Sequence, residues 1–165
     1  LSKISNEKKN FVESDMNVLE NDVVNEMDGT VKEKHAQIII DKLPSLKVNP
    51  VLMRPLFTNL IGNSLKYSRK DVAPVIKVHA ENNDAEKKTC SIYIEDNGIG
   101  FDQQYDQEIF GMFSRLHGKT DFEGIGIGLA LCKKIVEEHN GSISAKGKTD
   151  EGATFIISLP LNAAS

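Results

Sequence analysis

The chain has 165 residues, a formal net charge of −4, 39% hydrophobic residues and 27% charged residues. This balance is typical of a globular protein, and the length predicts one domain. An acidic chain argues against a nucleic-acid binder whose affinity depends on phosphate neutralisation, and no apolar run approaches the roughly 20 residues of a membrane span. Cys90 and Cys132 lie in unrelated apolar contexts and suggest neither a disulfide framework nor a zinc site, which favours a cytoplasmic setting.

Hydrophobic periodicity predicts the elements of the first half of the chain. Residues 1–10 are polar and predict a linker or the end of a preceding helix, and a start at Leu1 instead of Met leads us to expect a fragment of a longer protein. Apolar residues three and four apart predict a helix over 16–34, and the β-branched run at 38–40 predicts a short strand. Pro50 is well placed to begin a second helix, which we expect to extend to residue 69.

The second half contains an aperiodic stretch between predicted strands. Residues 96–124 are rich in glycine and have no clear period, and a connection of this length is usually a functional lid or disordered. A helix is predicted over 126–140, with His139 at its end, where a positive charge would complement the helix dipole. Four strands are predicted in this half, over residues 75–80, 90–95, 142–145 and 154–159.

A first group of functional candidates lies along one side of the second predicted helix. It consists of Asn59, Asn63, Lys66 and Tyr67, which are three and four residues apart. Amide oxygens can ligate Mg²⁺, an ammonium group can meet phosphate, and an aromatic ring can stack on a base. The alternative interpretation is the solvated face of an amphipathic helix.

A second group follows the strand over 90–95. Asp96 stands at its end and is followed by Asn97, Gly98, Ile99, Gly100 and Phe101. A carboxylate there can accept a hydrogen bond from an exocyclic amine, and the glycines let a ligand approach the backbone. A simple Asn-Gly turn is the alternative.

A third group opens the last helix with Gly124, Gly126 and Gly128. Backbone N–H groups at a helix N-terminus form an anion site when no side chain obstructs them. The spacing is neither a dinucleotide-binding fingerprint nor a P-loop, and a flexible hinge is the alternative. Together the three groups predict a nucleoside triphosphate site under a mobile lid.

At these residues the sequence resembles the catalytic and ATP-binding domain of sensor histidine kinases, within the Bergerat-fold ATPase and kinase superfamily. The resemblance implies a domain over residues 11–160 with a tail at 161–165. It also implies a two-layer α/β sandwich, with a mixed sheet of about five strands, three helices on one face and a mobile ATP lid. The matching segments are NLIGNSLKYS (the N box), DNGIGFD and GIGIGLAL (the two glycine boxes), IFGMFSR (the phenylalanine box) and GATFIISLP (the closing strand).

The resemblance implies roles for the residues of the first two groups. Asn63 would hold Mg²⁺ against the triphosphate of ATP, and Asn59, one turn earlier, would support it. Lys66 would contact phosphate, and Tyr67 would line the nucleotide pocket. Asp96 would accept a hydrogen bond from the adenine amino group.

Further binding roles are implied for the glycines and for the lid. Gly98 and Gly100 would act as a hinge, and the glycines at 124, 126 and 128 would let the lid close. Arg115 and Lys119 are candidates to face the phosphates, with solvated lid charges as the alternative. The other nucleotide-binding candidates are Phe110 and Phe113 in the lid, and Leu129.

The implied reaction is transfer of the ATP γ-phosphate to a histidine on a dimerisation hairpin, for relay to the receiver domain of a response regulator. In the ATP-hydrolysing relatives a glutamate activates water where Asn59 stands here, and an amide is not a useful base. Asn59 therefore favours a kinase over an ATPase. No histidine of the chain lies in the context expected for the acceptor, so we expect the hairpin outside these residues.

Two alternatives stay open from the sequence. One is a nucleotide-binding or docking module without transfer activity, and the other is a serine kinase of the anti-sigma type. In every case we expect no nucleic-acid partner and a monomeric fragment, with the membrane topology of the parent protein open.

Overall fold

The structure is a computed structural model that describes residues 10–82, 88–111 and 125–161. Its strands are β1 (Val12–Asp15), β2 (Gln37–Ile40), β3 (Ser45–Val48), β4 (Val75–Asn82), β5 (Thr89–Asp96), β6 (Ser142–Lys148) and β7 (Gly152–Pro160). Its α-helices are α1 (Met16–Glu26), α2 (Asp28–Glu33), α3 (Pro50–Lys66) and α4 (Ile125–Glu138), and two short 3₁₀ helices span Gln103–Tyr105 and Glu108–Phe110.

The main sheet has five strands in the order β2-β4-β5-β7-β6. The pairing of β2 with β4 is parallel and the other pairings are antiparallel, so the sheet is mixed. Alternate residues of its strands, such as Val78, Ile94 and Ile157, are fully buried, which places one face against the helices. The predicted mixed sheet of about five strands is confirmed.

Helix α3 supplies much of the core under this sheet. Phe57, Leu60 and Ile61 are fully buried on it, and Asn49 caps its first turn by accepting a hydrogen bond from the N–H of Val51 at 2.9 Å. The helix packs between α1 and α4. Its last turn therefore lies at a fixed place beside the end of β5.

His139 anchors the first turn of α3 to the end of α4. The backbone N–H of Asn49 donates to Nε2 of His139 at 3.1 Å, and Nδ1 lies 2.8 Å from the carbonyl oxygen of Ile135. The ring stacks on Phe11 with centroids 4.6 Å apart. Burial lowers the pKa of His139, and a ring that accepts at Nε2 carries its proton on Nδ1 and is neutral. The expectation of a charged helix-end histidine is therefore wrong.

Two further differences concern the first half of the chain. The helix predicted over 16–34 is two helices, because Met27 has φ −100° and ψ 13° and leaves the helical conformation, just before the poor helix formers Asp28 and Gly29. Strands β1 and β3 form a separate antiparallel pair that was not predicted, since four-residue strands give too short a pattern for periodicity to show.

Glu20 is a buried acid on α1. Its side chain is fully buried, and neither carboxylate oxygen has a hydrogen-bond partner within the described ranges. Burial raises the pKa of Glu20 from 4.5 to about 8. The folded protein therefore keeps the proton at pH values where the unfolded chain releases it, so stability falls as the pH rises from about 4.5 to 8.

We predict that Glu20→Leu raises the free energy of unfolding at pH 8 by roughly 3 kcal/mol, with a much smaller gain at pH 5. Urea unfolding at the two pH values measures this. Glu33→Leu is the matched control, because Glu33 is exposed on α2 and a surface change has little effect. Equal stability of Glu20→Leu and the unsubstituted protein at both pH values would contradict the prediction.

Candidate functional site

Asp96 ends β5 on the face of the sheet that the helices cover. Its Oδ2 accepts from the hydroxyl of Ser64 at 2.8 Å. Its Oδ1 accepts from the backbone N–H groups of Gly98 at 2.9 Å and Ala153 at 3.3 Å. An ionised carboxylate offers about four acceptor positions, so the described residues leave one position open, on Oδ2.

The protonation of Asp96 depends on two opposing influences. Burial raises the pKa of Asp96, and the nearby charge of Glu95 acts in the same direction. The hydrogen bonds from Gly98, Ser64 and Ala153 lower the pKa because they stabilise the ionised form. The carboxylate thus depends on its hydrogen bonds to remain an acceptor.

Asp96 lines a small cavity. Three segments surround it: the end of α3, the beginning of the loop after β5 and the first half of β7. The cavity measures about 30 Å³, far below the roughly 300–1,000 Å³ of an open small-molecule pocket. A ligand the size of a nucleobase therefore enters only when side chains at the rim move. The lining residues are Asn63, Ser64, Tyr67, Asp96, Ile99, Gly100, Phe101, Ala153 and Phe155.

Asn63 places an amide at this cavity. Its Nδ2 atom is buried and has no hydrogen-bond partner within the described part of the chain. A buried polar atom without a partner destabilises the fold by about 1–3 kcal/mol, so the amide is suited to a ligand or a bound water. The side chain also carries an oxygen, the atom type that Mg²⁺ prefers.

The turn after Asp96 is packed between two other segments. A Cβ atom on Gly98 would lie 2.6 Å from the carbonyl oxygen of Tyr67, and one on Gly100 would collide with the carbonyl oxygen of Lys148. Gly100 also has φ +65°, a conformation that favours glycine. Both glycines therefore allow close approach of backbones at the edge of the cavity.

Asn97 fixes this turn to the start of β4 and was assigned no role from the sequence. Its Oδ1 accepts from the N–H of Val75 at 2.8 Å, and its Nδ2 donates to the carbonyl oxygen of Ala73 at 3.2 Å. The Nε of Arg69 donates to the carbonyl oxygen of Asn97 at 2.9 Å. These bonds hold the turn in one position relative to the sheet.

Lys66 ends α3 beside Tyr67 and does not line the cavity at Asp96. It is exposed, and its ammonium group is 5.3 Å from the centroid of the Tyr67 ring. Instead of the Asp96 cavity it lines a wider cleft of about 510 Å³, together with Lys34, Arg69 and Lys70. The expected phosphate contact therefore lies in a different cleft from the carboxylate.

Asn59 lies at the contact between α3 and α4. A Cβ atom on Gly128 would be 3.7 Å from the side-chain carbon of Asn59, so the two residues are neighbours across the helix pair. Leu129 is fully buried in the core. Phe110 is buried and meets Phe155 edge-on, with centroids 6.3 Å apart.

The structure thus brings Asn63, Tyr67, Asp96 and Gly100 together at one cavity. It places Asn59 next to Gly128, at the contact between α3 and α4. Gly126 is in the first turn of α4. Most of the predicted lid lies outside the described residues, including Phe113, Arg115, Lys119 and Gly124.

Three lining residues were not found by sequence reasoning: Ser64, Ala153 and Phe155. One signal was available for Ser64, which stands four residues after Leu60 and three after Ile61 on the buried side of α3. A polar residue on an apolar stripe needs a partner. No such pattern exists for the other two, because their place at the cavity depends on the pairing of β7 with β5.

The described helices include none that combines the length and the apolar character needed to cross a membrane.

Known proteins resemble this chain over most of its length. Residues 48–163 match the family model described as histidine kinase-, DNA gyrase B- and HSP90-like ATPase. Phytochrome-like protein Cph1 of Synechocystis sp. is 36% identical over 131 residues, which are 79% of this chain and 17% of Cph1. Sensor protein kinase WalK of Staphylococcus haemolyticus is 32% identical over 168 residues, which cover 97% of this chain and 27% of WalK. The chain thus spans less than a third of the length of these relatives.

The fold is similar to that of the catalytic domain of histidine kinase ThkA in a nucleotide-free form. The TM-score is 0.75 at 19% sequence identity, over 92% of this chain and 97% of the ThkA chain. This likeness confirms the predicted α/β sandwich. Since the family model also matches residues 48–163, the chain belongs to the family of histidine kinase-, DNA gyrase B- and HSP90-like ATPases, as its sequence motifs predicted.

Proposed function

We propose that this domain binds ATP with Mg²⁺ and transfers the γ-phosphate to a histidine on a dimerisation hairpin of the same full-length protein. The phosphoryl group would then pass to the receiver domain of a response regulator. The observation that carries the proposal is the partly buried Asp96 carboxylate with one open acceptor position on Oδ2.

The open position on Asp96 favours adenine among the bases. An ionised carboxylate only accepts hydrogen bonds, and the exocyclic amino group of adenine donates one. Guanine carries a carbonyl oxygen at the corresponding ring position, and this oxygen would meet the carboxylate with no proton between them. The guanine oxygen and the carboxylate would repel each other, and the carboxylate would lose the hydrogen bond that adenine can donate.

Asn63 is the residue that fits a magnesium ligand. Its amide lines the same cavity as Asp96 and offers the oxygen that would ligate the metal. The Nδ2 atom, a donor without a protein partner within the described ranges, is suited to a phosphate oxygen instead. Bound Mg²⁺ supplies charge neutralisation for the phosphates and usually keeps several water ligands. One amide ligand therefore suffices from this part of the protein.

The residues at the site favour transfer to an imidazole over hydrolysis. Asn59 has no useful basicity and cannot activate water, whereas a neutral imidazole is already a nucleophile near pH 7. Phosphoryl transfer depends mainly on positioning and charge stabilisation. The domain would therefore orient the nucleotide through Asp96, Asn63 and Tyr67 and leave nucleophilicity to the acceptor histidine.

Proteins of the same fold support the proposed ligand and partners. Full-length ShkA was solved in complex with AMPPNP, and ThkA was solved in complex with the response regulator protein TrrA. We extend these properties to this chain and propose that it acts in the cytoplasm as a monomeric catalytic unit. No observation on the described residues favours the docking-module or serine-kinase alternatives.

We predict that Asp96→Asn weakens binding of AMPPNP by roughly tenfold to a hundredfold, because a hydrogen bond to a charged acceptor is lost. Calorimetric titration measures the affinity. Glu95→Gln is the control, since Glu95 is the adjacent carboxylate but is exposed and belongs to the other face of β5. Unchanged affinity in Asp96→Asn would contradict the assignment of adenine to Asp96.

We predict that Asn63→Ala removes most of the gain in AMPPNP affinity that Mg²⁺ gives the unsubstituted protein, and abolishes phosphoryl transfer in the full-length protein. Titrations with and without Mg²⁺ measure the first effect. Asn21→Ala, an exposed asparagine of α1, is the control. If Asn63→Ala unfolds instead, the residue is structural and the magnesium assignment is wrong.

A further inference from the structure

We propose that Ser64 is a positioning residue for nucleotide recognition, because its hydroxyl holds Asp96 ionised and leaves one acceptor position on Oδ2 for the base. The inference rests on the proposed adenine site and adds a residue to it. Ser64 follows Asn63 directly on α3, but it acts on the base-binding carboxylate instead of the phosphates.

The hydroxyl of Ser64 donates its hydrogen bond to Asp96. The side chain is buried, with 3% of its surface exposed, and its Oγ lies 2.8 Å from Oδ2. A serine within a helix often bonds back to the carbonyl oxygen of the preceding turn. Ser64 instead donates its one proton across to β5, so the bond joins the helix layer to the sheet layer at the site.

The two oxygens of Asp96 depend on different donors. Oδ1 accepts from two backbone N–H groups, those of Gly98 and Ala153, which no side-chain substitution removes. Within the described ranges Oδ2 has Ser64 as its partner. Without that hydroxyl, Oδ2 would face a cavity whose other walls include Phe101 and Phe155, and an unsolvated charge there is strongly disfavoured.

No cation compensates for the buried charge of Asp96 among the described residues, which include no ion pair to this carboxylate. Lys148 pairs with Glu151 at 3.3 Å, and Glu95 adds a like charge. The hydrogen bonds are therefore what opposes the effect of burial on the protonation of Asp96. The ionisable groups beside Asp96 are Tyr67 at the end of α3, Lys77 on β4, Glu95 on β5, Lys146 and Lys148 on β6, and Asp150 and Glu151 in the β6–β7 turn.

Loss of the Ser64 hydroxyl shifts the pKa of Asp96 in a predictable direction. The bond from Ser64 lowers the pKa of Asp96 against the effect of burial, so its removal lets the pKa rise further. As the pH falls through that value the carboxylate gains a proton and is no longer a pure acceptor for an amine. A variant without the hydroxyl therefore loses nucleotide affinity at a higher pH than the unsubstituted protein.

The experiment compares AMPPNP affinity of Ser64→Ala and the unsubstituted protein between pH 8 and pH 5.5. The ratio of the two Kd values cancels the titration of the ligand itself. We expect the ratio to rise as the pH falls, towards roughly tenfold, the effect of one hydrogen bond to a charged group. Ser68→Ala is the matched control, because its hydroxyl faces Nζ of Lys34 at 3.2 Å, and it should give a flat ratio.

A second measurement does not depend on nucleotide. The carboxyl carbon of Asp96, followed by NMR in the free protein, should titrate at a higher pH in Ser64→Ala. If Ser64→Ala does not fold, Ser64→Cys serves in its place, since its thiol is a weak donor of similar size and should shift the titration in the same direction.

The outcomes separate this inference from the proposed function. A ratio that is constant with pH, or an unchanged titration of Asp96, overturns the positioning role while nucleotide binding by the unsubstituted protein still stands. An unsubstituted protein that binds no AMPPNP at any pH overturns the proposed function and the inference together.

Discussion

The hydrogen bonding of one buried carboxylate is the constraint on which the site depends. Asp96 is out of contact with most water, and a buried charge without partners is costly enough that the group would take up a proton. Its donors come from α3, from the turn after β5 and from β7, through Ser64, Gly98 and Ala153. In the folded protein the donors that oppose the effect of burial on Asp96 therefore come from both the helix layer and the sheet.

The turn after β5 is as constrained as the carboxylate itself. Its glycines let it approach the backbone of Tyr67 on one side and of Lys148 on the other, while Asn97 fastens it to the start of β4. Both glycines of the turn are therefore used for contact between backbones. The proposed base-binding part of the site is thus built on fixed backbone, which favours selection of one base over tolerance of several.

Sequence patterns predicted the sheet and the residues around Asp96 because both are local signals. Alternation marks strands such as β5, and a glycine-rich turn after an acid marks a place where backbone and ligand come close. The partners of Asp96 are not local, since Ala153 is 57 residues away, and no periodicity shows which strand will pair with which. The same limit explains His139, which looked like a charged helix end because its acceptor role depends on Asn49, 90 residues earlier.

Helix α3 connects these two long-range contacts. At its first turn, Asn49 is held by a neutral, buried His139, and at its last turns Ser64 and Asn63 reach the cavity. A lowered histidine pKa means that this contact contributes stability above the ordinary titration range of histidine and loses it as the pH falls. Acid therefore has opposite effects on the stability of the two ends of α3: protonation of His139 weakens the first, whereas the raised pKa of Asp96 makes its protonation favour the folded state. Only the protonation of Asp96 acts directly on the proposed acceptor for the base, which is why a ratio of affinities isolates Ser64 from the stability of the helix.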